Sequence, residues 1–93
     1  MPVIRFLIWD GWNVVHIARH AVTPEEVEEA CRGQPIFRDS YHGRILAIGP
    51  TGSGRIIAAA LDPEPVTEGV YYPVTARPAS RGERRRYHEE MGA

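Results

Sequence analysis

The chain has 93 residues, with 11 basic residues that are all arginine, 12 acidic residues and a formal net charge of -1. This length predicts one domain over residues 1–93 and excludes a separate substrate domain, so we expect any functional site to be a shallow surface groove. The single cysteine excludes an internal disulfide and a cysteine-based zinc site, and the lack of a long apolar stretch predicts a soluble, cytoplasmic protein with no membrane span.

The first third of the chain predicts a strand followed by two helices. Residues 3–9 form a short segment rich in β-branched and aromatic residues, which is typical of a strand. In residues 11–20 the apolar residues recur at helical intervals. Thr23 and Glu26 form a capping box that begins the second helix, and Gly33 ends it.

From Gln34 onward the pattern is that of strands separated by turns. The predicted strands comprise residues 35–39, 44–48, 55–61 and 70–76. Pro73 places the last strand at an edge or at a bulge, because proline donates no ladder hydrogen bond. A second capping box, Ser80 and Glu83, begins a helix that runs to Met91. The predicted fold is therefore α+β, with an N-terminal strand, two helices, an antiparallel sheet of three or four further strands and a C-terminal helix.

A glycine-rich segment at residues 49–56 has a superficial likeness to a phosphate-binding loop. Arg55 stands where that motif needs lysine, and Ile56 stands where it needs a hydroxyl. The flanking pattern is also that of strands, so we predict a hairpin loop and no nucleotide cofactor.

His16 and His20 lie four residues apart on one helical face, a spacing that can chelate a metal. No third ligand is evident, so we predict no metal site. The expected alternative is a hydrogen-bonded network in which Asp10, Asn13 and the histidines tie the first strand to the first helix. A role for His20 in proton transfer is compatible with that network.

Trp9 and Trp12 are predicted to lie in the core, although exposed indoles could instead bind a protein partner. Four glutamates of the second helix are predicted to form an acidic face in solvent. They are Glu25, Glu26, Glu28 and Glu29.

The charge of the chain is uneven, because residues 1–70 carry a net charge of -3 and residues 71–93 a net charge of +2. At 100° per residue, one face of the last helix carries Arg81, Arg84, Arg85 and His88, which we call the arginine strip. We expect it to be continuous with Arg77 on the preceding strand. Guanidinium groups match phosphate oxygens and stack on bases, so the strip predicts phosphate or RNA binding, with a solvated helix face as the alternative.

Three segments carry a resemblance to a known family: Trp9-Asp10-x-x-Asn13-x-x-His16-Ile17-x-Arg19-His20-x-Val22-Thr23-x-Glu25-Glu26, Arg44-Ile45-Leu46-x-Ile48-Gly49, and Thr75-Ala76-Arg77-Pro78-Ala79-Ser80-x-x-Glu83-Arg84. In these segments the chain resembles the BrnT family of bacterial toxins. The resemblance implies a compact RelE-like domain that cleaves RNA and is encoded beside an antitoxin, which binds the toxin and contacts operator DNA. Ala21 departs from the glycine usual there, and Pro73 interrupts a strand that usually runs unbroken. We expect these departures to alter the turn between the helices and the edge beside Arg77.

The predicted function is a metal-independent endoribonuclease toxin of a type II toxin-antitoxin pair. In this chemistry the ribose 2′-OH attacks the adjacent phosphorus, so the protein must orient the chain, stabilise negative charge and assist proton transfer. Arg77 is predicted to stabilise charge on the phosphate, helped by Arg44 or Arg55. His20 or Tyr87 is predicted to transfer protons or to stack on a base. The further arginines predicted to hold flanking phosphates are Arg81, Arg84 and Arg85.

Two other functions remain open on this sequence. A non-enzymatic module would use the arginine strip to bind protein or nucleic acid without cleavage, and a metal-binding regulatory domain would use the histidines. A groove that joins His20, Arg77 and Tyr87 would favour catalysis, whereas their dispersal would favour binding.

Overall fold

The computed structural model describes residues 2–92 and has the element order predicted from the sequence. The elements are β1 (Phe6–Leu7), α1 (Gly11–Ala18), α2 (Pro24–Arg32), β2 (Ile36–Asp39), β3 (Ile45–Pro50), β4 (Ile56–Pro63), β5 (Val70–Pro78) and α3 (Arg81–Met91), with a 3-10 turn (Tyr41–Gly43) between β2 and β3. The α+β prediction of an N-terminal strand, two helices, four further strands and a C-terminal helix is confirmed.

Residues 2–92 form one five-stranded sheet in the order β1-β5-β4-β3-β2. The strands from β2 to β5 form the predicted antiparallel meander. β1 instead runs parallel to β5, with Phe6 opposite Val70 and Leu7 opposite Tyr71, so the sheet is mixed. β1 is shorter than predicted, because its ladder ends at Tyr71, just before β5 becomes irregular.

Of the two alternatives predicted for Pro73, an edge strand or a bulge, the bulge is confirmed and the edge is wrong, because β5 lies between β1 and β4. The register passes from Ala60 opposite Thr75 to Leu61 opposite Pro73, which leaves Val74 unpaired. The Pro73 carbonyl accepts a hydrogen bond from Asn13 Nδ2 at 3.1 Å, and the same amide donates to the Ile8 carbonyl at 2.9 Å. The buried Asn13 side chain therefore joins the end of β1 to β5 and satisfies backbone groups that the ladder leaves free.

Side chains alternate between the two faces of each strand, and the helices cover these faces unequally. One face packs against α1 and α2, and we call it the helical face; its core residues include Ile17, Val27, Ile57, Leu61 and Ala76. The other face packs against α3 through a smaller cluster that includes Ile36, Ile48, Ile56, Ala58 and Tyr87. α3 covers only part of this second face, which we call the open face.

Capping determines where the helices begin. Asp10 caps α1 and accepts hydrogen bonds from the backbone of Trp12 and Asn13, while the boxes predicted for α2 and α3 are both present. α1 ends at Ala18, two residues earlier than predicted. Within residues 2–92, none of the helices combines the length and apolar character needed to cross a membrane.

Two predictions about the N-terminal half are corrected by the packing. Trp12 is 58% exposed, and only Trp9 packs against the core, where its Nε1 donates to Glu28 at 2.9 Å. The acidic face of α2 is also more than a solvated surface. Glu26 forms an ion pair with Arg55, and Glu29 accepts a hydrogen bond from the backbone of Gly52. These contacts join residues distant in sequence, so helical periodicity alone could not reveal them.

Candidate functional site

The uncovered part of the open face forms a groove of about 610 Å³ beside α3. Cross-strand pairing places Arg38, Leu46, Ala60 and Thr75 in one row across β2, β3, β4 and β5. This row covers three inter-strand spacings, about 14 Å. Arg77 lies in the next row, opposite Ala58.

The floor and the rims of this groove differ in chemistry. Leu46, Ala58 and Ala60 make an apolar floor, and the two small alanine side chains leave room above the sheet. Arg38 and Tyr41 border it on the β2 side, and the Tyr41 side chain is 83% exposed. The groove can therefore offer cations, a phenol and an apolar surface to one extended ligand.

Arg77 borders the groove from β5, but its guanidinium already has a partner. Its Nη1 and Nη2 donate to Glu83 Oε1 and Oε2 at 2.7 and 2.9 Å. Glu83 is only 8% exposed and also accepts a hydrogen bond from the Ser80 backbone. The two parallel hydrogen bonds fix the plane of the guanidinium and its position beside the groove.

The pKa values of this pair reflect the same contacts. The hydrogen bonds from Arg77, with a further contribution from Ser80, lower the pKa of Glu83 to about 2, against the burial that opposes them. The pKa of Arg77 is raised by its hydrogen bonds to Glu83. Glu83 is therefore a poor proton acceptor near neutral pH, and Arg77 is needed to compensate a buried carboxylate.

Arg44 precedes β3, two residues before Leu46 and therefore on the same side of the strand. The distance along the strand is about 7 Å. Among the residues that the structure describes, Arg44 Nε is a buried donor without a hydrogen-bond partner. Its position one row beyond the groove keeps Arg44 a candidate for anion binding there.

Arg55 lies away from the groove and makes structural contacts near the helices. Its Nη2 donates to Glu26 Oε1 at 2.8 Å and to the Ala21 carbonyl at 2.9 Å. Arg55 therefore joins β4 to the turn between α1 and α2. These contacts belong to the helical face, on the opposite side of the sheet from Arg77.

His20 and Tyr87 are also separated from the groove. His20 follows α1 on the helical side, where its ring meets the His16 ring edge-on, and His16 in turn stacks on Trp12. Tyr87 is 8% exposed within the core beneath α3, and its hydroxyl donates to the Gln34 carbonyl at 3.1 Å. The structure therefore does not bring His20, Arg77 and Tyr87 together.

The expected network is confirmed for Asp10 and Asn13, which bond to each other and, through Asn13, to the Ile8 carbonyl at the end of β1. The histidines are not part of it and make ring contacts instead. The Trp12 and His16 rings are nearly parallel, with centroids 4.9 Å apart, and the His16 and His20 centroids are 6.0 Å apart. Over residues 2–92, no three or more His, Cys, Asp or Glu side chains are grouped so that they could hold a metal ion.

The arginine strip is exposed on α3, as the sequence predicts. The buried residues of the same helix are Glu83 and Tyr87. At 100° per residue, the mean direction of these two side chains is about 130° from that of the strip, so most of the strip points away from the sheet. The groove and the arginine strip are therefore two surfaces on different sides of α3, and the strip is not continuous with Arg77.

Six polar residues that line the groove were not identified from the sequence as site residues. They are Arg38, Asp39, Ser40, Tyr41, Thr75 and Glu83. Strand alternation assigns Arg38 and Thr75 each to one face of its own strand. Only the register across β3 and β4 shows that both side chains lie on the same face of the sheet. Glu83 was assigned to its capping box, which is correct but incomplete.

Comparison with known proteins adds no assignment to this geometry: no family model matches the chain, and neither a curated protein nor a solved structure matches it.

Proposed function

We propose that this protein is an endoribonuclease toxin of a type II toxin-antitoxin pair and that it binds RNA in the groove on the open face. The observation that carries the proposal is the convergence of Arg38, Tyr41 and Arg77 around an apolar floor. Single-stranded RNA is recognised through phosphate contacts and through stacking of its unpaired bases, and the groove offers groups for both. The resemblance to BrnT toxins supports the same function.

The proposed reaction is attack of a ribose 2′-OH on the adjacent phosphorus. The new bond gives a 2′,3′-cyclic phosphate, the bond to the 5′-oxygen breaks, and that oxygen receives a proton. Arg77 stabilises the negative charge that develops on the phosphate, because its orientation is fixed before RNA binds. Arg38 holds a neighbouring phosphate, and Tyr41 provides a surface on which a base stacks.

Proton transfer is assigned to the groove and not to the two residues that the sequence suggested. His20 lies on the other side of the sheet, and the Tyr87 hydroxyl is bonded to a backbone carbonyl. Tyr41 borders the groove and carries a hydroxyl that can donate a proton. Asp39 lies opposite Ile45, so strand alternation places its side chain on the helical face. We propose Tyr41 as the acid that protonates the 5′-oxygen, while the proton of the 2′-OH passes to solvent water.

The chemistry is tested with purified protein and single-stranded RNA in buffer containing EDTA. We expect cleavage products with a 2′,3′-cyclic phosphate, and we expect a 2′-deoxy nucleotide at the cleaved position to stop cleavage without stopping binding. Cleavage of the deoxy substrate, or loss of activity in EDTA, would contradict the proposed mechanism.

The role of Arg77 is tested with Arg77→Lys, because lysine keeps a charge for Glu83 but loses the planar pair of donors. We expect cleavage to be about a hundredfold slower, measured at a temperature at which circular dichroism shows the variant to be folded. The matched control is Arg19→Lys, since Arg19 is exposed on the opposite side of the sheet. An equal loss in both variants would remove Arg77 from the reaction.

A second candidate, an RNA-binding module that does not cleave, is favoured by one observation. The structure disperses His20, Arg77 and Tyr87, which the sequence suggested as a catalytic group. RNA binding that depends on Arg38 and Arg77, with no cyclic phosphate product, would support this module over the nuclease.

An antitoxin encoded by an adjacent gene is part of the proposal, with operator DNA contacted through the antitoxin. The arginine strip is the surface proposed for it, because an acidic partner would be attracted to four exposed basic side chains. Co-expression with the neighbouring open reading frame and purification of a complex tests this pairing.

A further inference from the structure

Within the described residues 2–92, β2 has a free edge, because it is the last strand of the sheet and pairs only with β3. Ser40 N donates to the Arg44 carbonyl at 2.9 Å, which fixes the alternation of hydrogen bonds along this ladder. The even-numbered residues of β2 bond to β3, so the N–H and C=O groups of Phe37 and Asp39 point away from the sheet. Two donors and two acceptors are therefore presented along this edge.

A hollow of about 660 Å³ adjoins the beginning of β2. Its walls include Ile4 and Cys31 on the α2 side and Met91 at the end of α3, with Pro35 and Phe37 beside the strand edge. Burial raises the pKa of the Cys31 thiol to about 12, so this wall carries no thiolate charge. We call the free edge of β2 and this hollow together the edge slot.

We propose that the edge slot binds an extended peptide segment of a partner protein, which adds to β2 as a further strand. Its backbone pairs with Phe37 and Asp39, as in other complexes formed by strand addition. A residue opposite Phe37 enters the hollow and is apolar, and the residue opposite Arg38 is acidic because Arg38 is exposed beside the edge.

A second copy of this chain fits the edge slot poorly. Antiparallel pairing of two β2 strands that uses all the outward groups places Phe37 opposite Asp39 and Arg38 opposite Arg38. Like charges directly opposite each other destabilise a strand pair. A partner with alternating apolar and acidic residues removes this repulsion and fills the hollow.

This inference does not rest on the proposed nuclease activity, because it concerns backbone groups at the edge and is tested without RNA. The two surfaces are nevertheless coupled through Arg38, which borders both. A bound acidic residue would place negative charge at the rim of the groove.

The test uses isotope-labelled full-length protein and a blocked octapeptide in which valine and glutamate alternate. Such a pattern presents apolar and acidic positions in either chain direction. We expect amide shifts and slower hydrogen exchange at Phe37 and Asp39, whereas the Arg38 amide, already bonded within the sheet, keeps its exchange rate. A peptide with proline at a central valine should bind more weakly, because it lacks a donor.

Charge specificity is tested with Arg38→Glu and with a second peptide in which lysine replaces glutamate. We expect the preference between the peptides to reverse, with a change of about two- to tenfold in each dissociation constant. The proposal is overturned if millimolar peptide leaves the Phe37 and Asp39 amides unchanged or if the charge preference does not reverse. Protection of the same amides by self-association, without peptide, would instead assign the edge to a second copy.

Discussion

Ala21 lies in a left-handed backbone conformation, with φ of 59°. Its N–H donates to the Ala18 carbonyl and the Val22 N–H donates to the Ile17 carbonyl, which together form a Schellman motif that ends α1. Glycine is the usual residue at this position of the motif, because a Cβ atom is crowded there. Alanine in place of the usual glycine at position 21 therefore affects the turn between α1 and α2.

Ala21→Gly should stabilise the protein. Relief of the left-handed strain exceeds the entropy cost of glycine, so we expect a gain of about 0.5–1 kcal/mol in the free energy of unfolding. The Ala21 carbonyl that accepts from Arg55 is retained. Thermal unfolding followed by circular dichroism measures the gain, with Ala18→Gly as a control that should be destabilised by about as much, because Ala18 is helical. A lower stability for Ala21→Gly would contradict this account.

The pair formed by Arg77 and Glu83 makes stability depend on pH. The pKa of Glu83 falls from 4.5 to about 2 on folding, so its contribution is complete above about pH 4.5 and is lost as the pH falls toward 2. We expect Glu83→Gln to cost about 1–3 kcal/mol at pH 7, allowing for partial screening by solvent.

The measurement for Glu83→Gln is denaturant unfolding at several pH values between 7 and 3. The difference in the free energy of unfolding between wild type and Glu83→Gln should become smaller as the pH falls below 4.5. The control Glu89→Gln, at an exposed position of α3, should have nearly the free energy of unfolding of the wild type at every pH. A pH-independent difference would mean that packing, and not the charge, accounts for the effect. The same pair makes Arg77→Ala a poor probe of function, because it would leave a buried carboxylate without its cation.

Among the helices, α3 has two sides with different roles. Its inner side supplies Tyr87 to the core and Glu83 to the Arg77 ion pair, which fixes the helix against the sheet. Its outer side carries the arginine strip, in which Arg84 Nη1 also donates to the Ala79 carbonyl at 2.8 Å. Changes on the outer side should therefore affect binding more than folding.

Reversal of Arg81, Arg84 and Arg85 to glutamate tests the outer side. We expect weaker binding of RNA and of the antitoxin. For RNA, the slope of the logarithm of the association constant against the logarithm of the salt concentration should also become shallower, by about 0.7 for each phosphate that the variant no longer binds. Acidic residues near a helix N-terminus are favourable, so the fold should persist. Fluorescence titrations at several salt concentrations measure the slope, with Arg86→Glu on another side of α3 as a control. If RNA binding is unchanged while Arg38→Gln weakens it, RNA is bound by the groove alone.

Across the molecule, the sheet separates two sets of residues that the sequence had joined. His20 and Arg55 belong to the side covered by α1 and α2, whereas Arg77 and Arg44 belong to the open face. The sequence did not separate the two sets, because it does not show which side of the sheet each of these residues lies on. The side of the sheet is decided by strand alternation together with the register to the neighbouring strands.

Local sequence was sufficient to predict the order of the elements, the capped starts of α2 and α3, the β3–β4 hairpin loop and the bulge near Pro73. These features depend on neighbours within a few residues, through backbone dihedral preferences, capping side chains and the missing donor of proline. Features of this kind can be predicted from the sequence because the residues that determine them are close together in the chain.

Tertiary packing was needed to establish that Tyr87 is buried, that Glu83 holds Arg77, and that Arg38 lies across the groove from Thr75. The parallel pairing of β1 with β5 and the exposure of Trp12 also belong to this group. Each of these features depends on which elements pack together and in which register. Contacts between residues far apart in sequence do not affect the periodicity of a single segment, so that periodicity cannot reveal them. The candidate site was therefore found only when β2, β5 and α3 were placed around the same face of the sheet.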